Sequence, residues 1–167
     1  MTTQEKLFEL LRSTDIPLQK GKGRLANVQR MVLGRVKMWF GKGYADSRHN
    51  KKFPELLALL KQFVEEHDPE YEFDAVTVNK DHQILKHVDR NNKDESYIFG
   101  FGDYTGGELV FESGPYAGTH DIKEKWLKFV GDKPHWVEPF EGERYSIVYY
   151  HWKWFWFKTL LLYYSIY

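Results

Sequence analysis

HWVEPFEGERYSIVYYHW, residues 135–152, contains two predicted strands and gives the clearest indication of the fold class. Its second half, 144–152, predicts a strand that is rich in aromatic and β-branched residues. The Glu141-Gly142-Glu143 turn separates that strand from a second predicted strand at 135–140. Similar short runs precede this stretch, and the further candidate strands are 73–79, 84–89, 96–102, 107–113, 120–125 and 126–130.

Many short strands with turn residues between them indicate a β-sandwich or barrel. Upstream of them, residues 1–15 predict an amphipathic helix with Leu7, Leu10 and Leu11 on one face. Pro54 opens a second predicted helix over 54–68. Residues 25–40 predict a strand between these helices. The fold class that follows is mostly β with N-terminal helices (α+β), because helices that come first and strands that follow argue against a βαβ sheet.

The composition of the 167 residues is that of an ordinary globular protein, with 42% hydrophobic and 29% charged residues. The absence of cysteine excludes disulfides, zinc–thiolate sites, iron–sulfur clusters and thiol nucleophiles. A metal ion would therefore have to use histidine and carboxylate ligands. The sequence also has no H-E-x-x-H, G-x-S-x-G or G-x-G-x-x-G motif.

The net charge of +0 hides a strong separation of charge along the chain. Residues 1–52 carry 12 Lys+Arg and 4 Asp+Glu, a net charge of +8, whereas residues 53–167 carry 12 and 20, a net charge of −8. Aromatic residues at 39, 40 and 44 lie among the basic ones, as in surfaces that bind phosphates and stack on bases. The alternative is a solvated face whose charges pair with the acidic part of the chain.

His87-Val88-Asp89 is the first candidate for metal chemistry. Alternation along a strand places positions 87 and 89 on the same face, so an imidazole and a carboxylate project side by side. His120, His135 and His151 follow and are all candidates for a third ligand. One of them together with H-x-D would form a 2-His-1-carboxylate facial triad, the ligand set of non-haem Fe(II) oxygenases.

Arg144 follows His135 by nine residues, across the Pro and Gly turn. An arginine on the next strand can bind a dicarboxylate through paired hydrogen bonds, and Ser146 would share its face. This spacing favours His135 over His120 as the third ligand. The alternative for Arg144 is an ordinary ion pair with a nearby glutamate.

The ordered combination of H-x-D, a distal His and a following Arg resembles the 2-oxoglutarate/Fe(II)-dependent dioxygenase superfamily over about residues 73–150. The resemblance implies a double-stranded β-helix (jelly-roll, cupin-like) core. It also implies Fe(II) held by His87, Asp89 and His135, with O2 and 2-oxoglutarate as co-substrates. Arg144 would bind the distal carboxylate of 2-oxoglutarate, assisted by Ser146. Tyr97 is either a further co-substrate contact or a core residue.

The string His87-Val-Asp89-Arg-Asn-Asn92 and the segment GDYTGGELV at 102–110 are similar to the TET/JBP group. This likeness implies oxidation of the methyl group of 5-methylcytosine or thymine. Asn92 would contact the flipped base, and Tyr97, Tyr104 or Trp136 could stack on it. Asn92 is alternatively a turn residue. The chain lacks the cysteine-rich zinc region of animal TET proteins, and it has little room for a separate DNA-reading domain.

From these features we expect one dioxygenase domain over 1–167. It would consist of a basic, helix-containing part (1–70), the core (71–152) and an aromatic tail (153–167). The tail would pack on the core, with a membrane-interface anchor or a dimer surface as alternatives. Without a signal peptide or a membrane span, the expected location is intracellular, cytoplasmic or nuclear. The rival functions are hydroxylation of a protein side chain or metabolite, and a non-catalytic cupin-like binding module.

Overall fold

The computed structural model of the chain describes residues 1–20, 27–38 and 43–153. Three helices and twelve strands occur in those residues. The helices are α1 (Thr3–Ser13), α2 (Arg48–Lys52) and α3 (Pro54–His67). The first strands are β1 (Leu18–Gln19), β2 (Val28–Lys37), β3 (Tyr44–Asp46), β4 (Ala75–Lys80), β5 (Asn92–Phe101) and β6 (Tyr104–Gly106). The remaining strands are β7 (Leu109–Phe111), β8 (Gly118–His120), β9 (Leu127–Phe129), β10 (His135–Val137), β11 (Phe140–Gly142) and β12 (Tyr145–Trp152).

Both predicted helices form, and each begins at a recognisable start signal, a capping box for α1 and a first-turn proline for α3. Thr2 and Glu5 form a reciprocal capping box at the start of α1, which satisfies two free N–H groups of its first turn. Pro54 occupies the first turn of α3, where no backbone donor is needed. Among the described residues, no helix has the length and apolar character that a membrane span requires.

The strands of the described residues form three antiparallel sheets. The large sheet has the order β1-β2-β4-β12-β5-β9, with β3 added at β2. A second sheet has the order β10-β7-β8, and a third pairs β11 with β6. The central strand β12 bonds to β4 on one side and β5 on the other, so residues 145–152 lie in the middle of the large sheet, whereas β10 and β11 belong to the two smaller sheets.

The two faces of β12 contact different groups of residues. Tyr145, Ile147 and Tyr149 are fully buried and pack with α1 and α3 in one hydrophobic cluster. The alternate positions Val148 and Tyr150 face the other way and line a cavity between the sheets. A second, smaller hydrophobic cluster there joins residues of β5, β7, β9, β10 and the segment before β9, namely Ile98, Leu109, Phe111, Ile122, Phe129 and Val137.

The predicted strand at 84–89 is wrong. That segment is irregular and has one isolated bridge, between His87 and His135. Its backbone hydrogen bonds to β10 are unequally spaced, since Val137 N donates to Ile84 O and His87 N donates to His135 O. The segment advances three residues between these bonds while β10 advances two, so a regular ladder cannot form. The predicted strand at 120–125 is also wrong beyond His120, where β8 ends.

Candidate metal centre

His87, Asp89 and His135 lie together at one side of the cavity. His87 Nε2 is 3.4 Å from Asp89 Oδ1, and His135 Nε2 is 3.5 Å from Asp89 Oδ2. The potential ligand atoms of the three residues all lie within 4.8 Å of one another. The His135 side chain is 4% exposed, whereas His87 and Asp89 are 16% and 20% exposed, so the cluster is open on one side only.

Both histidines are oriented by the backbone. His87 Nδ1 lies 2.8 Å from the Leu85 carbonyl oxygen, and His135 Nδ1 lies 2.8 Å from that of Lys133. A carbonyl oxygen can only accept, so Nδ1 carries the proton in each ring. Each Nε2 then faces Asp89 with either a proton or a bound cation between them, and a single divalent cation would satisfy all three groups at once.

The backbone also fixes the spacing of the three side chains. His87 N donates to His135 O, and His135 N donates to His87 O, which locks two candidate ligands together. Asp89 N donates to Gly131 O at 2.8 Å. A Cβ atom on Gly131 would lie 2.3 Å from Asp89 Oδ2, so glycine at this position makes room for the carboxylate. Phe111 stacks on the His135 ring, with 5.0 Å between ring centroids.

Asp89 is held in its ionised form. Burial by itself would raise the pKa of Asp89, but hydrogen bonds and favourable charge interactions with His135 and His87 outweigh burial. The pKa of Asp89 therefore lies well below its usual range. A carboxylate that stays ionised is ready to bind a cation at any physiological pH.

The other candidate histidines lie elsewhere. The ring of His120 bonds through Nε2 to the Tyr116 carbonyl oxygen at 2.7 Å. His151 lies beside Tyr71 and faces the Asp74 carboxylate, 3.9 Å away. The third position of the cluster is filled by His135, the residue that the Arg144 spacing favoured.

A cavity of about 550 Å³ opens at the cluster, within the size range of small-molecule sites. Its described lining includes Arg30 from β2, Arg90 beside the candidate ligands, and Asn92 at the start of β5. Trp136 also lines it, with its indole N–H donated to Glu138. Asn92 pairs with Trp152 of β12, so it begins a strand instead of lying within the turn. Among the described lining residues, Asp89 is the only carboxylate.

Arg144 is buried at 1% exposure, immediately before β12. Its Nη2 donates to the Gly107 carbonyl oxygen at 3.0 Å, and its guanidinium lies 5.4 Å from the ring centroids of both Tyr104 and Phe140. Arg144 forms no ion pair among the described residues, so the predicted alternative of a glutamate partner is not observed. Burial lowers the pKa of Arg144, and the neighbouring Tyr104 opposes that shift.

Two buried donors next to each other have no well-formed hydrogen bond within the described residues. They are Arg144 Nε and the hydroxyl of Tyr104. Gly107 permits this arrangement, because a Cβ atom there would lie 2.8 Å from Arg144 Nε. Buried donors of this kind are rare and call for a ligand or an explanation. The sequence offered Tyr104 only as a stacking residue, since its position beside Arg144 depends on the pairing of β6 with β11.

Ser146 lies on the same face of β12 as the cavity-lining Val148. It is fully buried, and its Oγ accepts a hydrogen bond of 3.3 Å from Asn79 Nδ2. Asn79 lines the cavity, whereas Arg144 and Ser146 lie beyond it on the same face of the sheet. The face that carries Ser146 therefore leads from the candidate metal centre toward Arg144.

Tyr97 lies on the opposite face of the sheet. It belongs to the hydrophobic cluster under the helices, and its hydroxyl donates to Asp68 Oδ2 at 2.8 Å. The structure thus gives it the core role that the sequence left open, and a co-substrate contact by Tyr97 is not supported. The reason is strand parity, since Ile98 and not Tyr97 points into the cavity.

Several sequence predictions fall on residues that the structure does not describe. The basic residues 22, 24 and 42, the aromatic residues 39 and 40, and tail residues 154–167 lie outside the described residues. Of the basic N-terminal part, Arg30 contributes directly to the cavity.

No protein-family model matches the chain, and no curated protein shows a significant match to it. Several solved structures, in contrast, match the chain. NgTET1 in complex with 5mC DNA aligns with a TM-score of 0.59 at 15% identity, covering 89% of this chain and 67% of that one. A Pseudomonas putida prolyl-4-hydroxylase aligns with a TM-score of 0.52 at 13% identity, covering 90% and 87%. OsALKBH1 aligns with a TM-score of 0.52 at 12% identity, covering 89% and 91%.

All three are 2-oxoglutarate/Fe(II) dioxygenases. The likenesses show that this chain has the fold of those enzymes, the double-stranded β-helix, which confirms the predicted fold class. Identities of 12–15% establish the fold alone.

Proposed function

We propose that the protein is a 2-oxoglutarate- and Fe(II)-dependent dioxygenase that hydroxylates a C–H bond. The observation that carries this proposal is the convergence of His87, Asp89 and His135 at the wall of a cavity, with both Nδ1 atoms already bonded to carbonyl oxygens. Two imidazoles and one carboxylate on one side of an ion leave the other coordination positions open. That ligand set suits Fe(II) better than a closed structural zinc site.

When bound, Fe(II) would activate O2 for a reaction that turns 2-oxoglutarate into succinate and CO2 and places one oxygen atom in the product hydroxyl group. The residues of the chain provide positioning and exclude water. The two carbonyl-bound histidines keep their Nε2 atoms aimed at the ion, and Phe111 holds the His135 ring in place. Asp89 contributes negative charge without having to lose a proton first.

We assign the distal carboxylate of 2-oxoglutarate to Arg144. The buried guanidinium has an Nε without a well-formed hydrogen bond, as has the neighbouring hydroxyl of Tyr104, and together they could donate two hydrogen bonds to one carboxylate. Ser146 and its partner Asn79 lie between these donors and the candidate metal centre. Tyr104 thus joins Arg144 and Ser146 as a proposed co-substrate contact, in place of Tyr97.

The proposed substrate is a nucleic-acid base whose methyl group is oxidised, either 5-methylcytosine or thymine. A base extruded from a strand needs a hydrogen-bonding side chain and an aromatic surface near the metal, and Asn92 and Trp136 line the cavity in those roles. Arg30 and Arg90 line the same cavity and suit a substrate that carries phosphates. The likeness to NgTET1, which was solved with 5mC DNA, supports this choice.

A protein side chain is the second candidate substrate, since the chain also shares its fold with a prolyl-4-hydroxylase. The test that separates the two is a product assay. The protein is incubated with Fe(II), 2-oxoglutarate and single-stranded DNA containing 5-methylcytosine or thymine, and the DNA is then digested to nucleosides. We expect a product heavier by one oxygen atom in mass spectrometry. Succinate formation on a peptide or metabolite, with unmodified DNA, would reject the nucleic-acid substrate.

A further inference from the structure

A second cavity lies beside the proposed active site, and Arg30 lines both of them. The second cavity has a volume of about 610 Å³. Its walls come from the chain around β1, from β2 and from the start of α2. The two cavities therefore adjoin along β2, at a single arginine.

The second cavity is strongly cationic. Lys20, Arg30 and Arg48 line it, and its described lining residues include no aspartate or glutamate. Among the described lining residues of the neighbouring active-site cavity, the one carboxylate is Asp89, which the proposed metal ion would neutralise. Because the chain has as many acidic as basic residues, this one-sided lining is a local property of the surface.

Hydrogen bonds hold the start of α2 against β2 at this cavity. Ser47 is buried, caps α2 by accepting from His49 N, and donates its hydroxyl to the Val32 carbonyl oxygen of β2. These bonds tie Arg48, the first residue of α2, to the wall of the cavity. Arg30 donates to Gln19 Oε1 at 3.1 Å and lies 3.5 Å from Thr77 Oγ1, which directs it along the boundary between the cavities.

The structure assigns this second cavity to the sugar–phosphate backbone of a single-stranded nucleic acid. The inference rests on the proposed function: a strand whose target base enters the first cavity would pass Arg30 and place further phosphates against Lys20 and Arg48. The first cavity adds aromatic surface from Tyr150, Trp136 and Trp152. Cations along a groove together with stacking surfaces are what single-stranded nucleic acids need, whereas an acidic peptide would use only the charges.

The test measures binding by fluorescence anisotropy, with a labelled 12-nucleotide single strand that contains 5-methylcytosine, at several salt concentrations. The variant is Lys20→Gln with Arg48→Gln. Both residues are exposed, so the fold should be retained. The control is Lys6→Gln with Lys61→Gln, which removes the same charge from exposed positions on α1 and α3, the helices on the other face of the sheet.

We expect the dissociation constant of the Lys20/Arg48 variant to rise about five-fold for each lost phosphate contact at 0.1 M salt, and the slope of log K against log salt to become shallower by about 0.7 per contact. The control should bind like the unmodified protein. Equal binding and equal slopes for the variant, in a protein that oxidises this DNA, would overturn the inference and leave the proposed function standing. No DNA binding by the unmodified protein, or binding of a poly-glutamate peptide in its place, would overturn both the inference and the proposed nucleic-acid substrate.

Discussion

The burial of Arg144 is energetically unfavourable in the free protein. Its guanidinium is buried against two aromatic rings, bonds to one carbonyl oxygen and forms no ion pair among the described residues. Taking a charge out of water without a partner of opposite sign is unfavourable. A dicarboxylate co-substrate would supply that partner, and the proposed co-substrate role would account for a buried charge that destabilises the free protein.

Replacement of Arg144 by methionine tests this view. Arg144→Met should weaken 2-oxoglutarate binding about 30- to 150-fold, as expected for the loss of about 2–3 kcal/mol of charge-assisted hydrogen bonds. The melting temperature of the free protein should not fall, because an unpaired buried charge is removed. The measurements are 2-oxoglutarate titration and thermal unfolding. Arg12→Met removes an exposed arginine at a surface ion pair and serves as the control; an equal loss of affinity in that variant would contradict the assignment.

Replacement of Tyr97 should affect the stability of the protein and not the binding of 2-oxoglutarate. Tyr97→Phe should leave the KM for 2-oxoglutarate unchanged but lower the melting temperature by a few degrees at neutral pH. The hydroxyl of Tyr97 is the main cause of the lowered pKa of Asp68, so its stabilisation is present above the unfolded-state pKa of about 3.9 and is lost as the pH falls through the folded-state value. Thermal unfolding from pH 7 to pH 2.5 should show the two proteins converging in acid.

A constant difference in melting temperature over that pH range would show that Asp68 does not mediate the effect of Tyr97. A clear rise in the KM for 2-oxoglutarate would instead restore Tyr97 as a co-substrate contact.

At the level of elements, the site depends on how an irregular segment meets β10. Residues 84–89 bond to that strand at unequal spacing, yet His87 and Asp89 still project together because the backbone bonds to His135 and Gly131 fix both ends. Asp89 fits only because position 131 has no side chain. The geometry of the centre is therefore set by the turn before β10 as much as by the H-x-D motif.

Gly131→Ala should therefore damage the metal centre without unfolding the protein. The added methyl group would lie 2.3 Å from Asp89 Oδ2 and displace the carboxylate. Loss of ligand orientation of this kind typically costs about 10- to 100-fold in metal affinity. Anaerobic Fe(II) titration and circular dichroism provide the measurements. Asp132→Ala, an exposed change in the same turn, should bind Fe(II) normally, and normal binding by Gly131→Ala would contradict the account.

The elements that the sequence predicted are those with a strong local signal. The amphipathic helices α1 and α3 and the long strand β12 were predicted at nearly their observed bounds. The short elements β1, β3 and α2 span two to five residues, too few to show a period, and the sequence did not predict them. Residues 84–89 have the composition of a strand, and only their pairing with β10 reveals the irregularity.

The same limit applies to the site. The candidate ligands and Arg144 were found from spacing, because each lies next to a turn or within a motif. The contact between Tyr104 and Arg144 joins positions forty residues apart and depends on how β6 and β11 pair, which no local pattern encodes. For Tyr97 the choice between a co-substrate contact and a core residue stayed open, because its strand parity relative to the cavity is visible only in the sheet.

For the whole molecule, the large sheet separates two tasks. One face packs against α1 and α3 and holds the main hydrophobic core, while the other carries the cavity and the candidate metal centre. Positive charge is concentrated at the cavities, because the basic residues 20, 30 and 48 line them although the net charge of the chain is +0. A neutral protein can thus present a cationic path to a polyanion.

This arrangement predicts a difference between two substrates. The KM for a single strand that contains 5-methylcytosine should rise steeply between 50 and 200 mM salt, because phosphate contacts release counterions. The KM for the free nucleoside, which has no phosphate, should change little. Steady-state kinetics with both substrates makes the comparison. Equal salt dependence for both would mean that the basic residues do not contact the substrate.

Anaerobic visible spectroscopy can detect the Fe(II)–2-oxoglutarate centre that we propose at His87, Asp89 and His135. Addition of Fe(II) and 2-oxoglutarate to the unmodified protein should produce the weak charge-transfer band of an Fe(II)–2-oxoglutarate centre. His87→Ala, Asp89→Ala and His135→Ala should each abolish the band, and His120→Ala should preserve it. A band that survives in the three variants, or that disappears with His120, would contradict the assignment.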